Sequence, residues 1–125
     1  MTGALADTHA LLWWLADDPR LSEPARDVLA AGEIAVFFSA ASVWEAEIKA
    51  AAGKLRVPDD LLESLEAEQF VELDATARHA REAARLPLLH RDQFDRMLVA
   101  QARLENLAVM TRDPKIAAYG VALVW

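Results

Sequence analysis

The chain has no cysteine. That excludes disulfides, a thiolate nucleophile and a zinc ribbon, and it suits a reducing compartment. No apolar stretch is long enough to span a bilayer. The opening residues, Met1-Thr2-Gly3-Ala4-Leu5-Ala6-Asp7, carry no lysine or arginine, and Asp7 and His9 interrupt the apolar run. Neither a secretory signal nor a transit peptide is expected from them. These absences point to the cytoplasm and away from membranes. No repeat, low-complexity tract or linker interrupts the 125 residues, which read as one domain over 1–125. No glycine-rich phosphate loop follows any expected strand, which disfavours a nucleotide-binding module. Positive charge is scarce too: 13 basic residues stand against 20 acidic ones, for a net charge of −7. A protein that holds nucleic acid by bulk charge is normally basic. Any such role here needs a local basic patch, a metal ion or a partner.

What is present is an apolar content of 54%, enough for a packed core, arranged as short apolar runs alternating with helical periodicity. Strands are expected at Leu5-Ala6-Asp7, Ile34 to Phe38, Phe70 to Leu73, Leu107 to Thr111 and Val121 to Val124. Helices are expected over Ala10 to Leu15, Ser22 to a Gly32 cap, Ala41 to Ala52, Pro58 to Glu68, Ala75 to about Arg85 and Gln93 to Glu105, with a short one from Pro114. Strands separated by helices with short connections imply an α/β fold, with a mainly parallel sheet covered on both faces. In such sheets ligands bind beyond the strand C-termini, where the next helix begins.

Four acids fall at places of that kind: Asp7, Glu45, Asp95 and Asp113. Each also has a plain structural explanation. Asp7 is placed to cap the first helix. Glu45 completes a capping-box pattern with Ser42 and lies four residues before Lys49, a favourable ion-pair spacing. Asp113 precedes Pro114, as an N-cap does. Asp92 reads as the cap of the helix in which Asp95 occupies the third position. Their coincidence carries more weight than any one of them. Carboxylates crowded into a crevice repel one another and raise their pKa values, and a divalent cation relieves that. Magnesium or manganese prefers such oxygen ligands and activates water toward a phosphodiester.

The stretches Asp7-Thr8-His9-Ala10-Leu11-Leu12-Trp13, Ser39 to Glu45, Ile48-Lys49 with Gly53-Lys54-Leu55, His90 to Ala102 and Thr111-Arg112-Asp113 together resemble the PIN domain. Within it, they are most similar to the VapC-type ribonuclease toxins of type II toxin–antitoxin systems. The resemblance implies a three-layer α/β/α domain with an acidic pocket for Mg2+ or Mn2+, and metal-dependent endonucleolytic cleavage of RNA. Carried over, Asp7, Glu45, Asp95 and Asp113 are the catalytic acids, with Asp7, Asp95 and Asp113 as metal ligands. Thr111 resembles the pocket hydroxyl that orients Asp113 or a metal water. Thr8, Ser42, Lys49, Asp92 and Arg96 are supporting or substrate-contacting candidates. Gln93 departs from the family's Asp-Pro-Phe-Asp pattern, with a small loss of local rigidity expected. The weakly apolar opening strand is expected to fray at its edge.

His9 and His90 are read as packing or polar support beside the acids, with general-base action as the alternative. Arg96 and Arg112 are placed to contact phosphate or steady carboxylates, with surface salt bridges as an equal alternative. Trp13, Trp14 and Trp44 read as core, except that adjacent Trp13 and Trp14 cannot both face one core stripe. The resemblance supplies two uses for an exposed one: a homodimer contact, and a groove for a VapB-type antitoxin, whose basic side chain the net negative charge would favour. Competing readings are a PIN-like nuclease on another nucleic acid and a non-catalytic interaction module whose acids are only caps. An aspartyl phosphatase is disfavoured, because Asp7-Thr8-His9 lacks a second acid two residues after the nucleophile.

Overall fold

The computed structural model describes residues 3–125. Its elements follow in the order β1 (Gly3–Ala6), α1 (Thr8–Leu15), α2 (Glu23–Ala31), β2 (Ala35–Ser39), α3 (Ala40–Ala51), α4 (Leu61–Ala67), β3 (Val71–Leu73), α5 (Ala77–Arg85), α6 (Gln93–Glu105), β4 (Ala108–Met110), a 3-10 helix (Pro114–Tyr119) and β5 (Leu123–Val124). The five strands form one parallel sheet in the order β3-β2-β1-β4-β5. Alternation along the strands divides the core in two. Ala6, Phe38 and Met110 pack with α1, α2, α3 and α4 on one face. Leu5 and Val109 pack with Leu98 and Val99 of α6 and Ile116 and Tyr119 of the 3-10 helix on the other. The result is the expected three-layer α/β/α architecture.

Helix boundaries follow local chemistry. Ser22 caps α2 through its side chain, and Gly32 ends it with φ +65°, in the left-handed region that glycine enters without strain. Thr76 and His79 form a reciprocal capping box at α5. Gln93 occupies the first turn of α6 in place of proline, with Asp92 as its cap. The Ser42–Glu45 capping box is not formed. The cap of α3 is Ser39, whose Oγ accepts from Ala41 N at 3.0 Å, so Ser42 lies inside the helix and is buried. Trp44 is also corrected, since it is 64% exposed and not in the core.

The opening strand, expected to fray for want of apolar side chains, is the central strand of the sheet, and every one of its residues is buried. Small side chains are what its crowded position requires. A Cβ on Gly3 would meet the Ala35 carbonyl oxygen at 2.5 Å and the Phe37 ring at 3.0 Å. The register aligns Ala6 with Phe38 on one side and Met110 on the other. Asp7, Ser39 and Thr111 therefore emerge side by side at the C-terminal edge. Gly3→Ala is expected to lower the unfolding free energy by about 1–3 kcal/mol through this backbone clash, measured by denaturant titration.

Candidate functional site

At that edge a cavity of about 490 Å³ is lined by Asp7, Thr8, His9, Trp13, Glu45, Lys49, Asp92, Asp95, Thr111, Arg112, Asp113 and Pro114. Asp7 leaves β1 and caps α1, its Oδ1 accepting from Ala10 N at 2.8 Å. Asp113 caps the 3-10 helix, accepting from Lys115 N at 2.9 Å. Asp92 caps α6 by accepting from Asp95 N at 3.1 Å, and Asp95 itself lies in that first turn. Glu45 comes from the middle of α3 and is buried. Its Oε1 accepts from the Thr8 hydroxyl, and its Oε2 pairs with Lys49, both at 2.5 Å. The Thr111 hydroxyl accepts from Asp113 N at 3.1 Å. All four acids singled out in the sequence therefore share one pocket, and two of them, Asp7 and Asp113, are helix caps as well.

Burial raises Asp7 above the ordinary carboxyl value, against the lowering effect of the Thr111 side chain and the Ala10 amide, and the charge of Glu45 adds to the rise. Asp95 is pushed up to about 7, by burial first and then by the neighbouring Asp92. Burial acts to raise Asp113 as well, but the Lys115 amide and His90 outweigh it and hold this carboxyl below the ordinary value.

His90 is more central than its sequence context indicated. Its Nε2 is 2.8 Å from Asp113 Oδ2 and 3.1 Å from Asp95 Oδ2, and ligand atoms of the three residues lie within 4.8 Å of one another. The ring's Nδ1 accepts from Asp92 N at 3.1 Å, which leaves the imidazole proton on Nε2. In this state His90 donates to the carboxylates, and neither ring nitrogen has a lone pair free for a cation. The donors that remain are carboxylate oxygens, crowded enough that two have raised proton affinity. That set fits a hard divalent cation such as magnesium or manganese.

The PIN domain family model matches residues 4–122. The chain belongs to the PIN domain family. None of the curated proteins matches it in sequence, but solved structures superpose over nearly all of its length. VapBC of Salmonella typhimurium, solved bound to DNA, matches with a TM-score of 0.71 at 17% identity, covering 98% of this chain and 97% of that one. VapBC2 of Rickettsia felis, bound to a promoter DNA fragment, matches with 0.71 at 14% identity, covering 97% and 96%. VapC20 of Mycobacterium tuberculosis, a sarcin-ricin loop cleaving toxin, matches with 0.67 at 15% identity, covering 95% and 96%. At these identities the likeness is one of fold.

In this PIN domain two of the supporting candidates lie outside the pocket. Ser42 Oγ is buried without a hydrogen-bond partner among the described residues, beside a small apolar cavity lined by Thr8, Leu11 and Leu65. Arg96 points away from the acids because its guanidinium is consumed elsewhere. It donates to the carbonyls of Ala83 (2.8 Å), Leu86 (3.0 Å), Pro87 (3.0 Å) and His90 (3.3 Å), and to the Tyr119 hydroxyl (3.4 Å). Tyr119 completes this clamp. Its hydroxyl accepts from Leu89 N (3.2 Å) and His90 N (2.8 Å) and donates to the Pro87 carbonyl (2.8 Å). Arg96 and Tyr119 thus fix the 86–90 segment that carries His90 to the acids. Sequence reading passed over Tyr119, the only tyrosine in the chain, because nothing local marks it as more than a core aromatic.

Two predictions follow from this geometry. Tyr119→Phe leaves the Leu89 and His90 amides without their acceptor. It should cost about 1–3 kcal/mol and speed hydrogen exchange at those two amides, as read by NMR. Asp95 binds its proton more tightly folded than unfolded. Metal-free stability should therefore fall as pH rises from the ordinary value of 3.8 to about 7. Asp95→Asn should be more stable than the parent above that range, by on the order of 1–3 kcal/mol, and the gain should vanish at low pH in denaturant titrations.

Proposed function

We propose that this PIN domain, a single unit over residues 1–125, is a magnesium- or manganese-dependent endoribonuclease and the toxin of a cytoplasmic toxin–antitoxin pair. The observation that carries this reading is the meeting of Asp7, Glu45, Asp95 and Asp113 in one cavity beyond the sheet's C-terminal edge. The fold likeness to VapBC complexes supports the toxin assignment, and the sarcin-ricin loop cleaving toxin among the similar structures supports RNA as substrate. Asp7, Asp95 and Asp113 would hold the ion, with Glu45 beside them. A divalent cation held there supplies charge neutralisation and Lewis acidity for hydrolysis of a phosphodiester by water.

The protein's own groups set up that chemistry. Thr8 and Lys49 fix both oxygens of Glu45. Thr111 steadies Asp113 through its amide. The Nε2–H of His90 holds the Asp113 and Asp95 carboxylates toward one another, and Asp92 aligns α6 as its cap. A VapB-type antitoxin that presents a basic side chain to the acidic pocket would be attracted by the net charge of −7. Trp44, exposed and edge-on to Phe94 with ring centroids 5.5 Å apart, offers an apolar surface for a homodimer.

The test is cleavage of total cellular RNA by purified, antitoxin-free protein with magnesium, with manganese and with chelator. Discrete fragments should require metal and should fall by at least about a hundredfold in Asp7→Asn and Asp95→Asn. Asp92→Asn should retain most activity, because asparagine caps a helix nearly as well as aspartate. Cleavage that persists in chelator, or in both pocket variants, would end this reading.

A further inference from the structure

An RNA strand entering this pocket meets the carboxylates of Asp7, Glu45, Asp92, Asp95 and Asp113. Two permanent cations line the cavity, Lys49 and Arg112. Lys49 is committed to Glu45. Arg112 follows Thr111 at the end of β4, is exposed, and takes part in no ion pair among the described residues. Its guanidinium lies over the Trp13 indole, with Cζ 5.4 Å from the ring centroid. Trp13 is itself wedged between His9 and Trp125, at centroid distances of 5.5 and 6.0 Å. Arg20 also lies over this ring, at 5.0 Å. Asp18 holds it there through contacts of 3.0 Å to Nε and 2.7 Å to Nη2, and it lines the neighbouring apolar groove instead of the acidic cavity.

We infer that Arg112, seated on Trp13, is the substrate-binding residue that takes a backbone phosphate of the RNA next to the scissile one. A guanidinium that stacks by its face keeps its N–H edge available for bidentate contact with phosphate oxygens. The seat restrains a long side chain that would otherwise lose rotamer freedom on binding. It also supplies what a chain of this charge lacks, a local cation not already neutralised at the rim of an acidic site. Trp13 is then a positioning residue. The inference rests on the ribonuclease reading.

The test is filter binding of radiolabelled bulk cellular RNA to the full chain with magnesium, in an Asp7→Asn background that prevents turnover, over a series of salt concentrations. Arg112→Gln should weaken binding about tenfold, as expected for one charge-assisted contact. It should also flatten the dependence of log K on log salt by about 0.7. Arg112→Lys should keep the salt slope while losing part of the affinity. Trp13→Leu should weaken binding, and Trp13→Phe, which keeps a ring under the guanidinium, should restore it. Arg103→Gln, which removes a cation from the far end of α6, should change neither quantity. If Arg112→Gln leaves affinity and slope unchanged while the parent still cuts RNA, this inference is wrong and the ribonuclease reading stands. If the protein neither binds nor cuts RNA, both are wrong.

Discussion

Asp7, Asp92 and Asp113 each accept a main-chain N–H at the head of a helix, and this one interaction both folds the chain and assembles its site. A parallel sheet sends every strand out at the same edge, and each following helix begins there with unsatisfied donors. Carboxylates are the side chains best suited to those donors. Using them repeatedly at one edge concentrates negative charge in the cavity those helices surround. The helix starts stabilise the charges locally, while burial and mutual repulsion oppose them, and the raised proton affinities of Asp7 and Asp95 are the visible result.

The surrounding polar network reads as a response to that repulsion. Glu45 is buried 37 residues away in sequence from the Thr8 hydroxyl that holds it, and it is matched by Lys49 one turn further along α3. His90 bridges two of the acids, and the backbone that carries it is fixed by Arg96 and Tyr119. The clamp is costly to build, since a buried guanidinium needs a partner for every donor. Carbonyls at the end of α5 and in the loop after it, with the Tyr119 hydroxyl, supply partners for both Nη groups. A site whose like charges must stay close needs a rigid frame, and this frame is made of main-chain acceptors that do not titrate.

Much of this was legible in the sequence. Periodicity located every strand and helix to within a few residues, and helix–strand alternation gave the parallel three-layer fold. The acids could be placed together because each followed a strand or opened a helix, and in a parallel sheet those positions share an edge. The misplacements have a common cause. Ser42 and Glu45 had capping-box spacing, but the chain enters α3 directly from β2, so Ser39 takes the cap and Ser42 becomes interior. Gly3 and Ala4 made the opening strand look weakly apolar and open to fraying, but the sheet order makes β1 the centre, where the Phe37 ring and the Ala35 carbonyl crowd the position of Gly3. Arg96 sits beside Asp95 in sequence, yet neighbours on a helix point about 100° apart, and its side chain runs toward the end of α5 and the loop after it.

The sequence by itself determined which residues carry charge, where helices can start, and hence that several acids had to stand at one end of the sheet. Residue spacing encodes these things through local backbone chemistry. Only the tertiary structure decided that β1 lies at the centre, that His90 reaches Asp95 and Asp113, that Tyr119 and Arg96 hold it there, and that Arg112 rests on Trp13 without an acidic partner among the described residues. Those contacts join residues from separate elements, and their formation depends on strand order and layer packing, which no local spacing records.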